Sequence, residues 1–108
     1  MRYLALCGLL AAMAVGGCGP TQKQKAIAEF EVGHVDQARA MLKEVLERTP
    51  SDPEALYYMG RAMHAQKNYV QAIYFYRSCL DADPGCAPAK RFLVKAEQEA
   101  GMEVERLR

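Results

Sequence analysis

Four cysteines, two histidines and several closely spaced carboxylates are the residues of this 108-residue chain whose chemistry could be catalytic. His34 and His64 have no nucleophile or acid at a spacing that suggests a triad, and no GxSxG, Walker loop, HExxH or CxxC occurs. Glu97 and Glu99, like Glu103 and Glu105, are two positions apart, which on a helix turns them to different faces and prevents joint acid-base work. Cys79 and Cys86 lie near each other in the chain, so a disulfide, two separate thiols and a redox pair all stay open. These residues form no catalytic or metal-binding set, and neither enzymatic activity nor a cofactor is expected.

The chain that positions them is small and nearly neutral. Its 14 Lys+Arg against 13 Asp+Glu leave a net charge of +1, with 51% hydrophobic and 25% charged residues. That composition permits one small domain and excludes both a disordered polyelectrolyte and bulk electrostatic binding to nucleic acid. Its first stretch, MRYLALCGLLAAMAVGGC, has Arg2 followed by an uncharged run from Tyr3 to Val15. A bilayer span needs about 20 apolar residues, whereas a secretory signal needs about 7 to 15, so export is predicted.

The end of this stretch, Val15-Gly16-Gly17-Cys18, resembles the lipobox of bacterial lipoproteins: an aliphatic residue, two small residues and a cysteine. The resemblance implies a signal peptide over 1–17, cleavage before Cys18 and a covalent lipid on its thiol. Cys7 is a poor rival, because Leu6 occupies the small-residue position. Cleavage would remove Arg2 and no acid, leaving the mature side chains in balance. No polybasic patch then assists attachment, and none is needed, since acyl chains contribute about 0.8 kcal/mol per buried methylene. Gly19 is not the aspartate associated with inner-membrane retention, so the resemblance favours the outer membrane, facing the periplasm. Residues 18–22 form the lipidated cysteine and a short tether.

Beyond the tether the chain repeats. A shift of 34 positions superposes Ala28 on Ala62, Gln37 on Gln71, Ala38 on Ala72, Leu46 on Leu80 and Pro50 on Pro84. Over 53–86, Leu56, Met59, Gly60, Met63, Tyr69, Ala72, Tyr76, Cys79 and Pro84 resemble the tetratricopeptide repeat, a helix-turn-helix unit of about 34 residues. Residues 56, 59, 60 and 63 share one helix face, and Gly60 and Ala72 are small enough for two helices to approach. Ser51-Asp52-Pro53-Glu54 offers an N-cap, a first-turn proline and a capping-box glutamate, and Asn68 suits a left-handed turn.

The predicted fold is therefore all-α, an α-solenoid of antiparallel helix-turn-helix repeats with five helices. Residues 23–50 form a first repeat whose opening helix is divergent, because Gln22, Lys25 and Glu29 stand where the family buries apolar groups. Residues 51–86 form the second repeat. Residues 87–108 form a terminal helix that covers the stack with Phe92, Leu93, Ala96, Ala100 and Val104. Two repeats are near the minimum for a stable stack, which predicts docking on another protein or a homodimer.

In this family the first helix of each repeat lines a concave groove. Carried over by register, the groove positions are Lys23, Ile27, Phe30, Glu54, Tyr57, Arg61, His64, Arg91 and Lys95. Cations outnumber acids there, which suits an acidic, hydrophobic peptide; a merely solvated face is the alternative. The lysine-and-asparagine clamp of chaperone-binding relatives is not reproduced, since Tyr58 stands at an asparagine position. Tyr74 and Phe75 mark a second, convex contact candidate. Export would place Cys79 and Cys86 where neighbouring thiols tend to pair, yet Cys79 falls at the family's small buried position.

The expected function is a lipid-anchored adaptor that binds another envelope protein, or a peptide segment of it, during assembly of a complex such as a pilus or secretion system. Pilotins and tight-adherence pilus lipoproteins look like analogues at the level of fold. An accessory subunit of a cell-wall enzyme is the rival reading, and a Cys79/Cys86 redox protein a third.

Overall fold

The computed structural model describes residues 19–108, so the predicted signal peptide over 1–17 and the predicted lipidation site at Cys18 lie outside the described residues. Five helices follow one another: α1 (Gln22–Glu31), α2 (Val35–Arg48), α3 (Pro53–Ala65), α4 (Tyr69–Ala82) and α5 (Ala87–Leu107). Each packs on the next, and α3 also touches both α1 and α5, so α1, α3 and α5 lie side by side along one face of the stack. None of the described helices is long and apolar enough to cross a membrane.

Local sequence accounts for the helix ends. Thr21 caps α1 through a capping box: its hydroxyl accepts from Gln24 N–H, and Gln24 Oε1 accepts from Thr21 N–H. This box starts the divergent helix despite its weak apolar stripe. Gly33, at φ 95°, makes the left-handed turn into α2. Two expectations about ends need correction. Asp52 rather than Ser51 is the N-cap of α3, accepting from Ala55 N–H, so Glu54 sits one position short of a capping box. Lys67, at φ 61°, takes the left-handed turn before α4, while Asn68 caps that helix by accepting from Gln71 N–H.

The core lies where α3 meets its neighbours. Ala55, Leu56, Met59, Gly60, Ala62 and Met63 are all buried on α3, facing Leu42 and Val45 of α2 and Ala72, Tyr76 and Cys79 of α4. Gly60 is required by contact: a Cβ there would fall 2.6 Å from Tyr76 Cε1, and Tyr76 is fully buried. The phenol ring thus occupies the space a side chain at position 60 would need. α5 covers the open end with buried Ala89 and Ala96 and half-buried Phe92 and Leu93. Val104, predicted to extend this stripe, is instead 54% exposed, because the helix has by then passed beyond the repeats.

Candidate functional site

Arg61 is the centre of the concave face. Its position midway along α3 places its guanidinium 4.2 Å from the ring centre of Phe92 on α5 and 5.3 Å from that of Phe30 on α1. A third ring, Tyr57, lies 5.8 Å away, and its hydroxyl accepts from Arg61 Nη1 at 3.0 Å. Aromatic faces hold the cation by cation-π attraction without consuming its N–H donors. Arg61 is thereby fixed in orientation by three rings and one hydrogen bond.

Beside it, His64 joins three helices. Its Nδ1 is 3.1 Å from the Tyr76 hydroxyl on α4 and its Nε2 is 3.2 Å from Glu99 Oε1 on α5. With the proton on Nε2, the imidazole donates to Glu99 and accepts from Tyr76, which gives both ring nitrogens and the Tyr76 hydroxyl a partner. Only 11% of the His64 side chain is exposed. Burial pushes the Tyr76 phenol well above its ordinary pKa of 10.0. It therefore stays neutral and serves as a fixed hydrogen-bonding post.

Phe30, Arg61, His64, Ala65, Phe92, Lys95 and Glu99 together line a cavity of about 250 Å³ on this face. It is open to solvent, with aromatic walls, two cationic groups in Arg61 and Lys95, and a carboxylate already engaged by His64. No serine, threonine or cysteine lines it. Among the described residues, no group of three or more His, Cys, Asp or Glu converges in a way that could hold a metal ion.

The predicted groove positions separate into three sets. Phe30, Arg61, His64 and Lys95 line the cavity, with Tyr57 and half-buried Ile27 adjoining on the same inner helices. Lys23 and Glu54 are instead paired with each other at 3.2 Å, and Lys23 also reaches Asp52 at 3.1 Å. The carboxylate of Asp52, with that of Glu54, raises the Lys23 pKa above 10.5 against an opposing effect of burial. These charges bind α1 to the start of α3, and neither residue lines the cavity. Arg91 is exposed on α5 and does not line the cavity.

Glu99 and Phe92 were absent from the predicted groove. Phe92 read as core, and Glu99 read as half of an unproductive carboxylate pair. Their common signal is helical spacing: Phe92 and Glu99 share one face of α5 with Lys95, a predicted groove position.

The remaining candidates lie elsewhere. Tyr58, at the asparagine position of the clamp, packs edge-on against Phe30 at 5.8 Å and Tyr57 at 5.1 Å, filling that place with aromatic carbon. Tyr74 is 62% exposed on α4 and stacks edge-on with Phe75. Cys79 and Cys86 are both free thiols, Cys79 buried with Leu56 and Ala89 and Cys86 half-buried against the same cluster. Burial, reinforced by a hydrogen bond with Cys86, pushes the Cys79 thiol up to about 12. His34, in the α1–α2 turn, pairs with Glu29 at 2.6 Å.

A family model described as tetratricopeptide repeat matches residues 23–86, more than half of the chain and all of α1 to α4 except Gln22. No curated protein matches the chain.

Proposed function

The chain belongs to the tetratricopeptide repeat family, whose members generally bind other proteins or peptides, and from that premise we propose a non-enzymatic, lipid-anchored adaptor of the bacterial envelope. The observation that carries the binding reading is the concave recess in which Phe30, Tyr57 and Phe92 hold the Arg61 guanidinium with Lys95 close by. The favoured ligand is an extended segment that presents a carboxylate to these cations and an apolar side chain to the aromatic walls.

The lipid anchor is read from the sequence Val15-Gly16-Gly17-Cys18, and Gly19 in place of an aspartate favours the periplasmic face of the outer membrane. Anchoring confines the groove to the membrane surface and raises its effective concentration for membrane-bound partners. Assembly of a pilus or secretion complex suits this arrangement, and an accessory role beside a cell-wall enzyme uses the same groove with catalysis in the partner.

Two variants separate anchor from groove. Cys18→Ser should move the protein from the membrane to the soluble fraction while leaving partner capture intact. Arg61→Glu with Lys95→Glu should abolish capture of the partner from solubilised envelopes while leaving the protein on the membrane. Capture that survives the double reversal would refute the groove reading.

A further inference from the structure

The face opposite the groove holds a second cleft. α2 and α4 each pack on α3 without touching each other, and the gap between them has Met59 and Met63 of α3 at its floor. Its volume is about 470 Å³, and it shares no lining residue with the concave cavity. Phe75 of α4 stands on one side and Ala40 of α2 on the other. Tyr74, the other half of the convex pair, lies outside it.

The α2 rim carries the charge. Asp36, Arg39, Ala40 and Lys43 have the spacing of one helix face, so the rim runs about 10 Å along the cleft. Asp36 is the one carboxylate among the lining residues, and it accepts from Gln66 Nε2 at 2.6 Å. Arg39 donates to Gln66 Oε1 at 2.6 Å, which holds its side chain in place, and its Nε is shielded from solvent with no hydrogen-bond partner. Among the described residues, neither Arg39 nor Lys43 makes a salt bridge. The two cations stand one turn apart on the same helix, where like charges repel, so the single chain leaves them uncompensated.

We propose that this cleft binds an amphipathic helix of a partner protein, with its apolar residues on Met59, Met63 and Phe75 and two carboxylates one turn apart on Arg39 and Lys43. Charge complementarity selects the acidic edge. The helical form follows from the walls: they are helices whose backbone groups are already paired, so an extended main chain would find nothing to bond. A helix satisfies its own backbone, and carboxylates at i and i+4 repeat the spacing of the two cations. Methionine suits the floor, because its unbranched side chain repacks around varied apolar groups. The site is independent of the groove reading, since the two share no residue.

Fluorescence anisotropy of a labelled synthetic helix tests it, using the full chain in detergent with micelles alone as the blank. The probe has about 18 residues, enough to stay helical, with leucines along one face and two glutamates one turn apart at its edge. A second probe carries lysines in place of those glutamates. The glutamate probe should bind saturably, and the lysine probe at least about tenfold more weakly. Lys43→Glu, an exposed position, should weaken the glutamate probe at least about fivefold with helix content by circular dichroism unchanged. Arg61→Glu with Lys95→Glu should leave its binding as it was. No saturable binding, equal binding of the two probes, indifference to Lys43→Glu, or loss with the Arg61 and Lys95 reversals overturns the proposal. So does a dimer, seen by sedimentation, that Lys43→Glu dissolves, since a second copy would then be the occupant.

Discussion

Cys79 and Cys86 show how placement sets the chemistry of one side-chain type. Cys79 is held among Leu56 and Ala89, and its thiol is pushed up to about 12, whereas Cys86 is half-exposed at the start of α5. Alkylation of the native protein at pH 8 should label Cys86 and leave Cys79 untouched until denaturant is added; equal labelling would show that the α4–α5 corner is open. The same burial makes stability fall at high pH. Cys79 is raised from 9.0 and Tyr76 from 10.0, so an unfolded chain loses these protons first and alkali favours unfolding. Their contribution is complete below about pH 9 and declines as pH rises toward 12. Urea midpoints should therefore drop between pH 9 and 11, and Cys79→Ala should flatten part of that drop. A midpoint constant over this range would contradict the buried placement of both groups.

At the scale of helices, the decisive contact is between α3 and α4. Gly60→Ala would drive a Cβ to 2.6 Å from a ring that cannot move, and the expected cost is about 1–3 kcal/mol in denaturant titrations. The start of α3 allows a finer comparison. Asp52→Ala removes the cap and the Lys23 partner together and should cost about 1–2 kcal/mol, whereas Asp52→Asn keeps a capping oxygen and should cost under about 1 kcal/mol. Equal costs would mean that the ion pair, not the cap, holds this junction.

Much of this level was legible beforehand because it follows from spacing. Gly60, Ala72 and Tyr76 at repeat positions announced the close approach of α3 and α4. The capping of α1 by Thr21 follows from the local pattern Thr-x-x-Gln. The left-handed residue at the next turn could not be assigned from type alone, since Lys67 adopts it in front of a better-suited Asn68 that is needed as a cap. The candidate site was half legible. Register placed Arg61, His64, Phe30 and Lys95 on the inner helices, but it could not show that Lys23 and Glu54 neutralise each other. Nor could it show that Glu99 reaches across from α5 to His64. Those pairings depend on the angle at which helices distant in sequence cross, which spacing within one helix does not encode.

For the whole molecule, α1, α3 and α5 create a groove that no single repeat contains, with Arg61 at its centre between the aromatic rings of all three. The proposed function requires that this groove, presented at a membrane, take hold of a partner. Site-specific photo-crosslinking in living cells addresses it most directly, with the photoreactive residue placed at Lys95 inside the recess or at Tyr74 on the exposed surface of α4. A discrete adduct with one envelope protein from Lys95, lost on Arg61→Glu and absent from Tyr74, is the predicted result. An adduct from Tyr74 alone, or one from Lys95 that persists in Arg61→Glu, would contradict the account.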